Sequence, residues 1–313
     1  MFVPEAIQEH AAEAAHGAAE KFNAGETIIH HVANSSHEDA LIHLPKVLGI
    51  DFSVTKHVFM LWLVAATLFI VITWVVRRYL KQDRLIPSGL MNALEAVVVF
   101  VRDEIVQPNV GKKWVRTWAP LLLTFFFFIL GANAIGLIPV FDVLGLLDHY
   151  VLHTGEHSFI KRLLHGGTTA TANFNVTAAL ATITFGAIIV AGVKAHGFVK
   201  HWMNLVPHGL AWPIYILLIP IEVMGMFVRP FALTMRLAAN MTGGHIAILA
   251  ILSFVFLFAE MGGALAGVGA GVIASIPLAV SISGLEIIVV LVQAYVFTLL
   301  TAVFVGMAIH VHH

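Results

Sequence analysis

The sequence predicts an all-α membrane protein with five transmembrane helices and one amphipathic surface helix, the last two spans long and steeply tilted. Three observations predict it. Of 313 residues, 59% are hydrophobic and 11% charged, whereas soluble domains carry about a quarter charged residues. Apolar runs of spanning length recur between clusters of charge. The segment before position 57 differs in kind from everything after it.

That first segment, 1–56, holds six Glu and six His before Asp51 and reads as an acidic, His-rich extracytoplasmic tail, with a helix-tolerant stretch from Glu9 to Lys21. A solvated tail is the plain reading of His30, His31, His37 and His43, and a metal-binding or proton-collecting cluster is the alternative. The first 40 residues contain no apolar core of the kind a cleavable leader needs. Residues 57–313 form the membrane domain. A span needs about 20 apolar residues, and 58–76 supplies them before Arg77, Arg78, Lys81 and Arg84 close it. In 88–105, Leu90, Leu94, Val97, Val98 and Val101 recur at helical spacing, but Glu95, Arg102, Asp103 and Glu104 make the segment too polar to cross. It should lie on the membrane surface.

Further spans follow at 118–139 and 174–193, around a charged loop at 140–172. In that loop His149, His153 and His157 recur every four residues. They fit a solvated loop, with a metal site or proton gathering as alternatives. The last two apolar stretches, 210–261 and 276–309, are separated by Gly262, Gly263, Gly267, Gly269 and Gly271, which read as a flexible turn. Pro277 to Ile309 would make a helix of roughly 50 Å against a hydrocarbon core of about 30 Å. A helix lying wholly in the core would tilt by roughly 50°, where about 20° is usual. With the N-terminus outside and the C-terminus in the cytoplasm, ten Lys and Arg fall on inner loops and five on outer ones, as the positive-inside rule asks.

Five ionisable residues lie inside the last two spans: Glu222, Arg229, Arg236, His245 and Glu286. An Arg at the bilayer centre costs at least about 2.5–3.5 kcal/mol, so such residues are functional candidates by default. Arg236 is the sharpest, with roughly 24 Å of helix on its shorter side. Arg229, just before Pro230, divides evenly between structural and functional readings. Glu222, Arg229 and Arg236 repeat every seven residues and stay on one helical face with about 20° of drift per step, and Asn240 joins them. Glu286 and Gln293 are again seven apart. If Gln293 lies level with Arg236 on an antiparallel partner, Glu286 and His245 fall about 10 and 13 Å toward the outer surface, with Glu222 on the inner side. That is a proton relay interrupted by a fixed cation.

The stretch PIEVMGMFVRPFALTMRLAANMTGGHI (Pro220–Ile246) resembles the signature helix of subunit a of the F-type ATP synthase. LEIIVVLVQAYVFTLLTAVFV (Leu285–Val305), NAIGLIP (Asn133–Pro139), NFNVTAALA (Asn173–Ala181) and GLMNALEAVVVFV (Gly89–Val101) extend the resemblance over most of 57–309. It implies a non-catalytic membrane subunit that offers two offset half-channels to the carboxylates of a rotating c-ring. Peripheral-stalk b subunits and membrane lipid would be its other partners, in a bacterial inner membrane. It implies that Arg236 faces the ring carboxylate with Asn240 and Gln293 beside it, that Glu222 belongs to the inner half-channel, and that His245 and Glu286 belong to the outer one. Many bacterial members carry the carboxylate first and the His second, whereas the order here is closer to the mitochondrial pattern. Gly136 stands where some members have Asp, and Asn133 and Asn175 are further candidates in that hairpin. The sequence carries no Gly-x-x-x-x-Gly-Lys-Ser/Thr loop, so ATP chemistry would belong to a partner. Neither a metal nor a cofactor is implied, and the net charge of −1 gives nucleic acid no attraction. The alternative class is a stand-alone proton-coupled secondary transporter, which predicts internal repeats that the two halves do not display; a plain membrane anchor would leave the five ionisable groups unexplained.

Overall fold

Five apolar segments become helices long and apolar enough to cross a membrane. The computed structural model describes Gly25 and residues 53–82, 86–137, 169–203 and 212–310. The tail histidines and the stretch Glu9–Lys21, the loop histidines, and positions 138, 139, 210 and 211 of the expected spans lie outside the described residues. In chain order the main helices are α1 Lys56–Leu80, α2 Leu90–Phe100, α3 Val115–Leu137, α4 Phe174–His196, α5 Trp212–Gly262 and α6 Ile276–Ile309. The chain divides into two compact units, Asn34–Gly244 with Ser283–His313, and Met1–Ala33 with His245–Ile282.

In the larger unit, the helix expected on the membrane surface does more than lie there. After α2 the chain continues through a π-helical turn, Val101–Val106, and one further turn, Gln107–Val110. Val101, Ile105, Val106 and Val110 are fully buried, in one core with Leu122 and Ile129 of α3 and Phe297, Ala302 and Val305 of α6. The wider π turn lets residues five apart, Val101 and Val106, face the same way. The polar residues between them stay outside, where Arg102 and Asp103 form an exposed ion pair at 2.7 Å. Their shared hydrogen bond raises the Arg102 pKa and lowers that of Asp103. The amphipathic helix is thus anchored in protein at its C-terminal half, because that half carries four aliphatic groups with no room for lipid.

α6 reaches this anchor through Gly306. A Cβ at Gly306 would collide with the backbone carbonyl of Asn109. Nearby, Phe125 of α3 meets Phe297 of α6 edge-on at 5.6 Å between ring centroids, a preferred aromatic geometry. Two histidines close helix ends here, His196 that of α6 and His310 that of the turn Gln107–Val110, where intrahelical partners run out. The His196 ring nitrogen lies 2.9 Å from the Ile309 carbonyl, and that of His310 3.2 Å from the Val110 carbonyl. His201, in the short helix Phe198–Met203, is buried against Gly192, where any side chain would strike its ring. Burial depresses the His201 pKa, and the charge of His196 adds to the effect.

In the smaller unit, the glycine-rich stretch is not the flexible turn the sequence suggested. Only Gly263 breaks the chain, with φ 81°. Ala264–Ala270 is helical, and a π-helical turn, Gly271–Ser275, leads into α6. A Cβ on Gly267 would stand 2.5 Å from that of Ala259, and one on Gly271 would stand 3.2 Å from the Val255 side chain. Spaced four apart against Val255 and Ala259, these glycines let two helical stretches approach closely, as small residues do in membranes.

Candidate functional site

α5 runs unbroken through Pro220 and Pro230. The Thr234 hydroxyl donates to the Pro230 carbonyl at 3.0 Å, one of the ways membrane helices accommodate proline. One stripe of α5, Met226, Leu233, Leu237 and Met241, is buried. Along its margin run Glu222 and Arg229, both half-buried, and Arg236 and Asn240, both exposed. The seven-residue ridge therefore survives both prolines.

The larger unit brings part of this ridge against α6. Asn240 Nδ2 donates to Gln293 Oε1 at 2.8 Å, and Gln293 is buried. A Cβ at Gly244 would overlap the Glu286 carboxylate. The pairs Asn240–Gln293 and Gly244–Glu286 run in opposite senses, so the two stretches are antiparallel, as expected. The register differs from the supposed one. Gln293 meets Asn240 rather than lying level with Arg236, a shift of one turn or about 6 Å, with the Asn240 amide donating and the Gln293 carbonyl accepting. Arg229 rests its guanidinium over the Phe304 ring at 5.7 Å, a cation–π contact that gives it a structural task. Among the described residues, Arg236, Glu222 and the Glu286 carboxylate have no hydrogen-bond or ion-pair partner. His245 is half-buried on α5, in the smaller unit.

The hairpin candidates separate. Asn133 is fully buried and accepts a hydrogen bond from the Thr171 hydroxyl, while its amide nitrogen has no partner among the described residues. Asn175 is exposed, and its backbone N–H donates to Asn173 Oδ1 at 2.8 Å in the N-cap of α4. Asn173, not Asn175, performs the capping. Gly136 is pressed against Thr169, where any side chain would strike the hydroxyl. An acid at this position would need Thr169 displaced.

Sequence reasoning missed two neighbours of the ridge. The Thr242 hydroxyl lies 3.4 Å from the Ala172 carbonyl, tying α5 to the short 3₁₀ turn before α4. Gly244 makes the space that Glu286 fills. Adjacent glycines inside a helix of bulky residues were the available signal for the second, since mid-helix Gly costs about 0.5–1 kcal/mol relative to Ala and calls for a packing reason.

The ATP synthase A chain family model matches residues 58–306. The chain belongs to that family. It is 40% identical to ATP synthase subunit a 2 of Chlorobium luteolum, over 96% of this chain and 79% of that protein. It is 37% identical to ATP synthase subunit a 2 of Prosthecochloris aestuarii, over 96% and 84%. Identity to ATP synthase subunit a of Anaeromyxobacter dehalogenans is 35%, over 98% and 78%. Family and apolar helices together make this an integral membrane protein, a non-catalytic subunit in the membrane sector of an F-type ATP synthase.

Proposed function

We propose that this subunit is the stator of a rotary proton path, offering two offset half-channels to the carboxylates of a c-ring. The observation that carries the reading is Arg236. It lies deep within a span, exposed, beside an Asn–Gln pair that is already mutually satisfied, and it has no partner among the described residues. A cation in apolar surroundings without an internal counterion calls for one from outside the chain, and a ring carboxylate is the group this position would meet.

A proton from the outer side neutralises that carboxylate by way of the half-channel that contains His245 and Glu286. The neutral site can then turn into lipid, where a bare carboxylate would be costly. On the inner side, near Glu222, the proton leaves. Arg236 favours the loss, since an adjacent cation lowers a carboxylate pKa by about 1–3 units, and it blocks direct leakage because guanidinium does not deprotonate. Asn240 and Gln293 hold the two helices in register beside it, and Arg229, Asn133 and Asn175 stand as secondary candidates. The host membrane is a bacterial inner membrane. Segment 1–56 lies outside it and the C-terminus in the cytoplasm, b subunits complete the stator, α5 and α6 are steeply tilted along the ring, and the His and Glu make the proton the coupling ion.

Arg236→Ala in the purified complex, reconstituted in vesicles, should leave the assembly intact, abolish proton-driven ATP synthesis and raise passive proton leak. Full coupled synthesis by this variant would sink the stator assignment.

A further inference from the structure

Where α1 ends and α2 begins, three hollows meet. An apolar cleft of about 580 Å³ opens between α1, α2 and α3, with Leu68, Ile72, Leu94 and Phe127 among its walls. A second hollow of about 630 Å³ follows another flank of α1, from Phe69 and Ile70 up to Arg77, Arg78 and Lys81. Between them lies a smaller hollow of about 340 Å³, lined by Arg78, Tyr79, Gln82, Ser88 and Gly89. It shares Tyr79 and Met91 with the first cleft, and Trp74, Arg78 and Gln82 with the second. The result is a fork, with two mainly apolar arms and one polar node.

The chemistry of the node is that of an anion site. The Arg78 guanidinium lies 5.3 Å from the centroid of the Trp74 ring, which steadies it by a cation–π contact. The first turn of α2 carries no side-chain cap, so its N–H groups need an acceptor. A Cβ on Gly89 would meet nothing within 4 Å, leaving that backbone open. Among the described lining residues, three basic groups outweigh the one acid, Glu95, which stands on the wall of the cleft between α1, α2 and α3. Hollows of about 340–630 Å³ fall in the size range of small-molecule ligand sites.

We propose that the α1–α2 junction binds one anionic diacyl phospholipid, with its phosphate at Arg78 and the start of α2 and one acyl chain in each arm. The site lies in the leaflet that faces the C-terminal end of α1, and it does not depend on the proton path.

The test uses the full-length chain, released into detergent from nanodiscs holding equal amounts of phosphatidylglycerol and phosphatidylcholine, with retained lipid counted by native mass spectrometry. The wild type should retain one phosphatidylglycerol, preferred about tenfold, the scale expected of one or two basic residues at an anionic surface. Arg78→Gln should lose the preference and Arg78→Lys should keep most of it. Ala65→Trp, which fills the cleft between α1, α2 and α3 without altering any charge, should lose the lipid itself. Equal retention of the two lipids by the wild type, or an unchanged preference in Arg78→Gln, overturns the proposal. So does a photocrosslinker at Leu94 that, in the assembled complex, labels a protein helix instead of phospholipid.

Discussion

Two glycines in the larger unit mark two regions with opposite tasks. Gly306 faces the backbone carbonyl of Asn109, within a core whose residues are buried on every side, whereas Gly244 faces the carboxylate of Glu286, beside a ridge of half-buried and exposed polar groups. At the first, small size lets main chains touch and joins the α2 extension to α6. At the second, it makes room for an ionisable side chain. The difference teaches that a gap between helices has two uses in a membrane protein, and that the atom across the gap says which. A carbonyl cannot retreat, but a carboxylate can.

The same substitution at both positions should separate fold from function. Gly306→Ala should destabilise the chain by about 1–3 kcal/mol, the usual cost of overpacking. Yield and melting temperature should fall together, and flux should fall only in proportion to the assembled complex. Normal stability with Gly306→Ala would show that the anchor gives way. Gly244→Ala should do the reverse. Its helix propensity gain of about 0.5–1 kcal/mol offsets the displacement of Glu286, so melting should barely change while proton flux per assembled complex drops. Unchanged flux would remove Glu286 from the path, or show that it has somewhere else to go.

Between these extremes lies Gln293. Gln293→Leu removes the acceptor of the Asn240 amide and should cost about 0.5–1.5 kcal/mol, with flux lowered but not abolished. The double change with Asn240→Leu should cost less than the sum of the single changes, because paired groups couple. Strict additivity would mean that the bond contributes nothing.

The smallest effect belongs to His201, at the anchored end. Its pKa in the folded protein is depressed by burial. The stability it contributes is therefore full above its unfolded value of 6.5 and is lost as pH falls through that value toward the folded one. Melting temperatures taken at pH ~7.5 and ~5.5, either side of the ordinary His range, should differ less in His201→Gln than in the wild type. An identical pH dependence in the two proteins would show that His201 does not titrate on unfolding.

How much was legible beforehand varies with the element. Five helices long and apolar enough to cross a membrane were legible, because the cost of an unsatisfied backbone in lipid forces every apolar run into a helix. The α5 ridge was legible as well, since a seven-residue repeat stays on one helical face whatever surrounds it. The glycine-rich stretch was misread because composition alone does not distinguish a turn from a close helix contact. Val255 and Ala259, which decide that, lie across the contact. The burial of Val101, Ile105, Val106 and Val110 escaped because their apolar face suits lipid and protein equally, and only the arrival of α3 and α6 chooses between them.

By itself, then, the sequence determined an α-helical membrane protein with ionisable groups set at fixed helical phase, since hydropathy and periodicity are local properties of the chain. The tertiary structure decided which partner each group meets. It set Gln293 against Asn240 rather than level with Arg236, Glu286 against Gly244, and Arg229 over Phe304. Register between two helices far apart in the chain depends on side-chain volumes summed along the whole contact, and no single segment carries that sum.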